Sequence, residues 1–240
     1  EFAVGHGVAV HAAPTESAPE LATRISTRVI PVYTLPMQTP PTRDDNPDLS
    51  GVVTDMKELA EADDKALVVK LRPLADAYAN WIDREKQKLP APAEGLKPHQ
   101  QAAKEAIDRC SRALERIRAG IDRLSKDPKA AEAFRFANRA MMLQRVRSEF
   151  AMRVRRGKNA DLASIDQPDN RRWFPFQLAF VLLNIPPLAD LSHLDRAGEP
   201  MSAIADLLWF PTGGGKTEAY LGLTAFTLAI RRLQGDIQER

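Results

Sequence analysis

Cysteine is almost missing from this 240-residue sequence, which contains only Cys110. A single cysteine excludes a disulfide framework and any cysteine-rich zinc site. Its place on an apolar helical stripe predicts a core residue instead. Histidine is also scarce, and the four histidines are dispersed, at positions 6, 11, 99 and 193. The sequence therefore shows no cluster of metal-ligating side chains.

A strong net charge is lacking as well, because 34 basic residues nearly balance 32 acidic ones, giving +2 at pH 7. Any nucleic-acid surface must then be a local patch. No uninterrupted apolar run approaches the roughly 18 residues that a bilayer span needs, and no signal peptide is visible. We expect a cytoplasmic protein without membrane contact, and the 44% hydrophobic content is ample for a packed core.

The middle of the chain has helical periodicity. We expect Pro73 to begin a helix that turns Leu74, Tyr78, Trp81 and Ile82 inward. From Ala103 to Leu124, apolar residues recur at alternating intervals of four and three, which predicts a coiled-coil seam or one helix of an antiparallel bundle. Helical patterns on both sides favour the bundle. Asp127-Pro128 should end this helix, and another is predicted from about Ala130 to Met152.

A cluster of basic residues, called here the basic run, overlaps the end of that last helix. Two interpretations stay open: contact with a DNA phosphate backbone, or a solvated helix end whose positive charge suits the helix dipole. Aromatic residues are absent between Arg153 and Lys158, so stacking on bases is not expected. The basic run consists of Arg145, Arg147, Arg153, Arg155, Arg156 and Lys158.

The most informative stretch lies near the end of the chain. A short apolar run, Leu207 to Phe210, predicts a buried strand, and helical periodicity follows from Lys216 to Leu233. Between them is a glycine-rich loop, which can turn backbone N–H groups toward a phosphate at the positive end of the helix. The alternative is a turn that binds nothing. The loop comprises Thr212, Gly213, Gly214, Gly215, Lys216 and Thr217.

These residue types point to ATP with Mg²⁺. Lys216 would reach the β- and γ-phosphates, and the Thr217 hydroxyl would hold the metal ion, so we assign the catalytic positions to these two residues. The strict phosphate-loop pattern requires glycine where this chain has Phe210, so the match is to a looser form of the motif.

With Glu218 directly after the threonine, the loop resembles motif I of superfamily 2 helicases and translocases. Three wider phrases resemble the helicase subunit of bacterial DISARM anti-phage systems: residues 1–7, 172–180 and 206–223. This resemblance implies an ATP-driven motor acting on DNA, together with a second defence-system subunit and a methyltransferase. The chain starts without Met and offers no counterpart of the later motor motifs, so we expect an N-terminal fragment that is inactive alone.

The same family places a glutamine upstream of the loop to hydrogen-bond the adenine edge, since an amide can donate to one adenine atom and accept from another. Gln177, in the phrase Arg171-Arg172-Trp173-Phe174-Pro175-Phe176-Gln177, matches that position. An ordinary capping or surface glutamine is the alternative. Gln100 stands in a similar phrase but precedes the long heptad helix, so Gln177 is preferred.

Together these features predict a mixed α/β, helix-rich chain. A small β element and linker should occupy residues 1–45, with strands around 2–10 and 24–35 and a loop at 12–20. A helical insert should occupy residues 46–160, and the start of a truncated RecA-like ATP-binding domain should occupy residues 161–240. Besides a DNA helicase or translocase, two functions stay open: a P-loop ATPase that does not translocate, and a helical partner-binding or DNA-binding module attached to an ATPase.

Overall fold

The structure, a computed structural model, describes residues 8–29, 39–42, 44–90, 94–197, 203–209 and 214–235. The chain divides into two compact units, Glu1–Gln38 and Thr39–Arg240. Of the described residues, 68% are helical, and a small two-stranded sheet is present. The prediction of a helix-rich chain that opens with a small β element is therefore confirmed.

The first unit is an antiparallel hairpin of β1 (Ala9–Thr15) and β2 (Ala18–Val29). Its register shifts on both sides of Pro14, which has no N–H to donate to the ladder. The loop predicted at 12–20 is wrong, because a two-residue turn at Glu16 and Ser17 lets both strands run through most of that range. Most of the predicted first strand and the end of the second lie outside the described residues.

Eight helices in the described residues build the second unit, together with short 3₁₀ turns. The bounds are α1 (Met56–Glu61), α2 (Asp64–Lys88), α3 (Gln100–Lys126), α4 (Pro128–Arg155), α5 (Leu162–Ile165), α6 (Pro175–Ala189), α7 (Leu194–Ala197) and α8 (Lys216–Gln234). None of these helices combines the length and the apolar character that crossing a membrane requires.

Helix α2 corrects the expected helix start at Pro73. The helix begins at Asp64, where the Asp63 carboxylate accepts a hydrogen bond from the Ala66 N–H at 2.7 Å. Pro73 therefore lies inside the helix, where it removes one backbone hydrogen bond. Burial of apolar side chains on both sides of Pro73 offsets that loss. Trp81, expected to point inward, is 38% exposed, and its ring stacks on Tyr78.

The heptad stripe of α3 belongs to a bundle within the chain. Helix α3 packs against α2 and α6, and its stripe residues from Ile107 to Leu124 are buried, apart from the half-buried Cys110. The predicted boundary at Asp127-Pro128 is confirmed. Asp127 accepts hydrogen bonds from the N–H groups of Lys129 and Ala130, at 3.0 and 3.2 Å, and so caps α4.

Helix α8 packs on α4 and α6 along one side, with Phe226 and Ile230 fully buried. Its predicted extent is confirmed, but its burial is one-sided: Leu228 on the opposite side is 66% exposed.

Residues 203–209 form no strand, and Leu207 and Trp209 are 81% and 73% exposed. The predicted buried strand is therefore wrong for residues 207–209, because no strand among the described residues lies beside them to pair with; Phe210 lies outside the described residues.

Helices α3 and α6 approach each other closely at Gly120 of α3. A Cβ added there would lie 2.0 Å from the backbone carbonyl oxygen of Leu182 in α6. We expect Gly120→Ala to lower the free energy of unfolding by at least about 2 kcal/mol, because backbone cannot move aside as a side chain can. Denaturant unfolding followed by circular dichroism measures this.

Gly95 is the matched control, since a Cβ there would meet nothing within 4 Å. Gly95→Ala should change the free energy of unfolding by less than about 0.5 kcal/mol. Equal effects of the two substitutions would contradict the packing of α3 on α6.

Candidate functional site

The start of α8 is the centre of the candidate site. Gly215 is the residue before the helix and has a φ of 88°, a left-handed conformation that favours glycine. Lys216 is the first helical residue and is half-buried, while Thr217 is exposed. The helix dipole makes the start of α8 electropositive. Gly214 is half-buried, and Thr212 and Gly213 lie outside the described residues.

Gln177 connects the start of α6 to this loop. Its side chain is fully buried, and its amide Nε2 donates to the Gly215 carbonyl oxygen at 2.6 Å. Its Oε1 accepts from the backbone N–H of Phe174 at 2.7 Å. The structure thus brings together the two motifs that the sequence paired. Because the amide already contacts the chain at both ends, its direct contact with adenine stays a prediction.

Trp173, four residues earlier, is buried between α4 and α8. Its indole Nε1 donates to Asn138 Oδ1 at 2.8 Å, and the buried Asn138 in turn donates to the Phe134 carbonyl oxygen at 2.9 Å. The ring also lies against Gly222 of α8, where a Cβ would come within 2.7 Å of it. Trp173 therefore sets the distance between α8 and α4, a role that sequence reasoning missed.

Arg171 fixes the backbone that leads into α6. Residues 171–173 pair with 54–56 through two backbone hydrogen bonds, from Met56 N–H to the Arg171 carbonyl at 3.0 Å and from Trp173 N–H to the Thr54 carbonyl at 2.9 Å. The Arg171 guanidinium, which is mostly buried, donates to both carboxylate oxygens of Asp55, at 2.9 and 3.1 Å, and also contacts the Asp166 carboxylate.

This pairing keeps both partners charged. Burial opposes ionisation of Asp55, but hydrogen bonds from Arg171 and from the Lys57 backbone N–H outweigh it and lower the Asp55 pKa. The Asp55 hydrogen bond raises the pKa of Arg171 above its ordinary value. The ion pair therefore persists at neutral pH and holds the peptide that carries Trp173 and Gln177.

Arg145 differs from the other residues of the basic run because its side chain faces the candidate site. Its Nε donates to the Asn170 carbonyl at 3.1 Å, and its Nη1 lies 3.9 Å from Glu218 Oε1 in the first turn of α8. Arg153 is also engaged, since it pairs with Glu149 at 2.6 Å. The exposed members of the run are Arg147, Arg155, Arg156 and Lys158. They are the ones available to a DNA backbone, and DNA contact stays a prediction.

Arg116 of α3 reaches the segment that precedes the glycine-rich loop. Its Nη1 and Nη2 donate to the two carboxylate oxygens of Asp206 at 2.6 and 2.7 Å. Its Nε lies 3.1 Å from the Asp195 carboxylate. The hydrogen bond to Asp206 outweighs the effect of burial and raises the Arg116 pKa. The sequence analysis did not predict this contact, because its two partners are 90 residues apart and no local sequence pattern indicates it.

Two cavities of about 570 and 580 Å³ lie in the second unit, and neither is lined by Lys216 or Thr217. The first lies around Arg172 and the acidic residues near it. The second is an apolar groove beside residues 206–208, with the aromatic rings of Tyr78, Trp81, Phe176 and Phe180 in its walls. Among the described residues, no group of three or more His, Cys, Asp or Glu side chains is arranged to hold a metal ion.

The described geometry defines a helical domain whose last helix begins at a glycine-Lys-Thr sequence and is held there by a buried glutamine. No protein-family model matches the chain. A protein from Bacillus paralicheniformis named DISARM protein DrmA is 43% identical over 181 residues, which cover 74% of this chain and 15% of that protein. The chain is therefore a homologue of a DISARM protein over most of its length, which confirms the resemblance stated from the sequence.

Both the space around Gly215 and its backbone conformation disfavour a side chain, and comparison with a second glycine separates the two effects. A Cβ there would lie 2.6 Å from Gln177 Nε2, and the positive φ disfavours any side chain. Gly157, two residues past α4, also has a positive φ, of 69°, but nothing lies within 4 Å of its Cβ position. We expect Gly157→Ala to cost about 1 kcal/mol of strain and Gly215→Ala at least about 1 kcal/mol more, because alanine displaces the Gln177 amide.

Unfolding free energies of the two variants, measured side by side, check this expectation. Equal losses would mean that Gln177 does not constrain Gly215.

Proposed function

We propose that the chain is the ATP-binding N-terminal part of a superfamily 2 DNA helicase or translocase that acts in bacterial anti-phage defence. The observation that carries this proposal is the glycine-Lys-Thr start of the 19-residue helix α8, with the buried Gln177 amide bound to Gly215. The 43% sequence identity to a DISARM protein supports the same assignment. A second subunit of the defence system is part of the proposal.

The described residues fit a nucleotide phosphate. Gly215 has a left-handed backbone that suits such a loop, and the helix dipole makes the start of α8 positive. Lys216 would bind the β- and γ-phosphates, and the exposed hydroxyl of Thr217 would take a Mg²⁺ coordination position. Bound ATP, with Mg²⁺ on its phosphates, would supply a phosphoanhydride bond whose hydrolysis releases free energy.

Gln177 would act in two ways in this proposal. Its hydrogen bond to the Gly215 carbonyl holds the loop at the start of α8, and Arg171 and Trp173 hold the peptide that carries it. The amide keeps a second N–H and a second lone pair for the adenine edge, but the side chain is fully buried, so contact would require it to become accessible. Glu218, in the first turn of α8, places a carboxylate near Arg145 and so balances positive charge beside the loop.

The exposed end of the basic run is the proposed DNA contact. Arg155 is the last residue of α4, and Arg156 and Lys158 follow it; because α4 packs directly on α8, one helix connects the two proposed binding surfaces. Arg155, Arg156 and Lys158 extend beyond the packed part of α4 and are exposed. Arg155 donates only to the exposed Ala151 carbonyl, at 3.2 Å, so its charge is not neutralised there, whereas Arg153 is paired with the Glu149 carboxylate and Arg145 faces Glu218.

The nucleotide assignment is tested at Lys216. We expect Lys216→Ala to abolish ATP hydrolysis in the full-length protein, and to weaken binding of a fluorescent methylanthraniloyl-ATP by at least about 30-fold, because a phosphate loses its charged partner. The helical content by circular dichroism should be unchanged. Lys104→Ala, at an exposed position of α3, is the control and should bind and hydrolyse normally. Retained turnover in Lys216→Ala would refute the phosphate-loop assignment.

The DNA assignment is tested by the salt dependence of binding. We expect Arg155, Arg156 and Lys158, all replaced by Gln, to lower the slope of log affinity against log salt for duplex DNA by about 2 to 3, since each lost phosphate contact removes about 0.9. The matched control replaces Lys104, Arg112 and Arg118 of α3, three exposed basic residues, by Gln. A slope that falls equally in both triple variants, or an absence of binding at low salt, would contradict the proposal.

A further inference from the structure

Polar side chains hold both the glycine-rich loop and the segment that precedes it. Within the loop, the Gly215 carbonyl accepts a hydrogen bond from Gln177 Nε2 at 2.6 Å. Ahead of it, Arg116 donates to both oxygens of the Asp206 carboxylate at 2.6 and 2.7 Å. Gln177 belongs to α6 and Arg116 to α3, so two different helices of one bundle contact Gly215 of the loop and Asp206 of the preceding segment.

The segment 203–209 depends on this polar contact because its side chains bury little. It has no regular secondary structure, and Ile204, Leu207 and Trp209 are 49%, 81% and 73% exposed. A backbone hydrogen bond from Ile204 N–H to the Asp195 carbonyl, at 2.9 Å, joins the segment to α7. The Asp195 carboxylate in turn lies 3.1 Å from Arg116 Nε. Arg116 therefore contacts the segment directly through Asp206 and indirectly through Asp195.

We propose that Arg116 is a positioning residue for nucleotide binding: by fixing Asp206 against α3, it couples the helical region to the glycine-rich loop. This inference rests on the proposed nucleotide-binding function of that loop. The guanidinium fork matches a carboxylate in two parallel hydrogen bonds and so fixes orientation as well as distance. Both side chains are only 21% exposed, which limits screening of the pair by solvent and salt.

The effect on affinity follows from populations. A nucleotide binds the arrangement in which the loop is correctly placed, and its apparent affinity is reduced by the fraction of molecules in that arrangement. If loss of the ion pair leaves about one molecule in ten with the segment in place, binding weakens about tenfold. Arg116 itself need not touch the nucleotide, because it affects affinity through the position of the segment before the loop.

The test uses the whole 240-residue chain, with methylanthraniloyl-ATP and Mg²⁺ as the probe. We expect Arg116→Gln and Asp206→Asn each to weaken binding about tenfold, and the double variant to bind no more weakly than Arg116→Gln alone, because Arg116→Gln already removes the interaction with Asp206. Arg116→Lys should recover part of the affinity, since it keeps the charge without the bidentate fork. Arg118→Gln, exposed on the same helix, should bind as the unchanged chain does.

Hydrogen exchange separates positioning from general destabilisation. In Arg116→Gln, amides of residues 203–209 should exchange faster while those of α2 and α4 keep their protection. Unchanged affinity in Arg116→Gln, or faster exchange throughout the bundle with additive losses in the double variant, would overturn the proposal. If the unchanged chain and Lys216→Ala bind the probe equally poorly, the nucleotide function fails and the coupling fails with it. The exchange of residues 203–209 then still shows whether Arg116 fixes the segment.

Discussion

One buried amide joins the start of α6 to the start of α8. Gln177 Nε2 donates to the Gly215 carbonyl while its Oε1 accepts from Phe174, and the side chain has no exposed surface. A buried amide that lost either partner would incur a desolvation cost of about 1–3 kcal/mol, so α6 and the start of α8 must keep their relative positions. The close contact of Gly215 with this amide, and its positive φ, then restrict that position to glycine.

Two arginines extend this constraint to the rest of the domain. Arg171 binds Asp55 and Asp166 and so places the peptide before α6, while Arg116 binds Asp206 and so places the segment before the loop. Ion pairs of this kind gain little net stability, because the desolvation of both charges opposes their attraction. Their geometric effect is larger, since a bidentate pair admits one orientation. The bundle obtains its stability from apolar burial and its alignment with the loop from these few polar contacts.

The sequence predicted the features that local pattern controls. The α3 stripe, the Asp127-Pro128 boundary and the extent of α8 all depend on residues within a few turns of each other, and each is confirmed. The predicted helix start at Pro73 failed because Asp63 supplies an N-cap ten residues earlier, and tertiary packing outweighs the bond that proline removes. The pairing of Gln177 with the loop was inferred from family resemblance, and the structure places the two in contact.

What the sequence could not predict depends on partners far along the chain. The Arg116 and Asp206 side chains meet across 90 residues, and Arg145 leaves the basic run to face Glu218 of α8. The failed strand at 207–209 has the same origin. Its apolar composition satisfies strand propensity, but a strand is stable only where another backbone accepts its hydrogen bonds, and none of the described strands lies beside it. Leu207 and Trp209 are therefore exposed. The composition of a segment shows that it can form a strand, but a strand forms only where a neighbouring strand is present to pair with it.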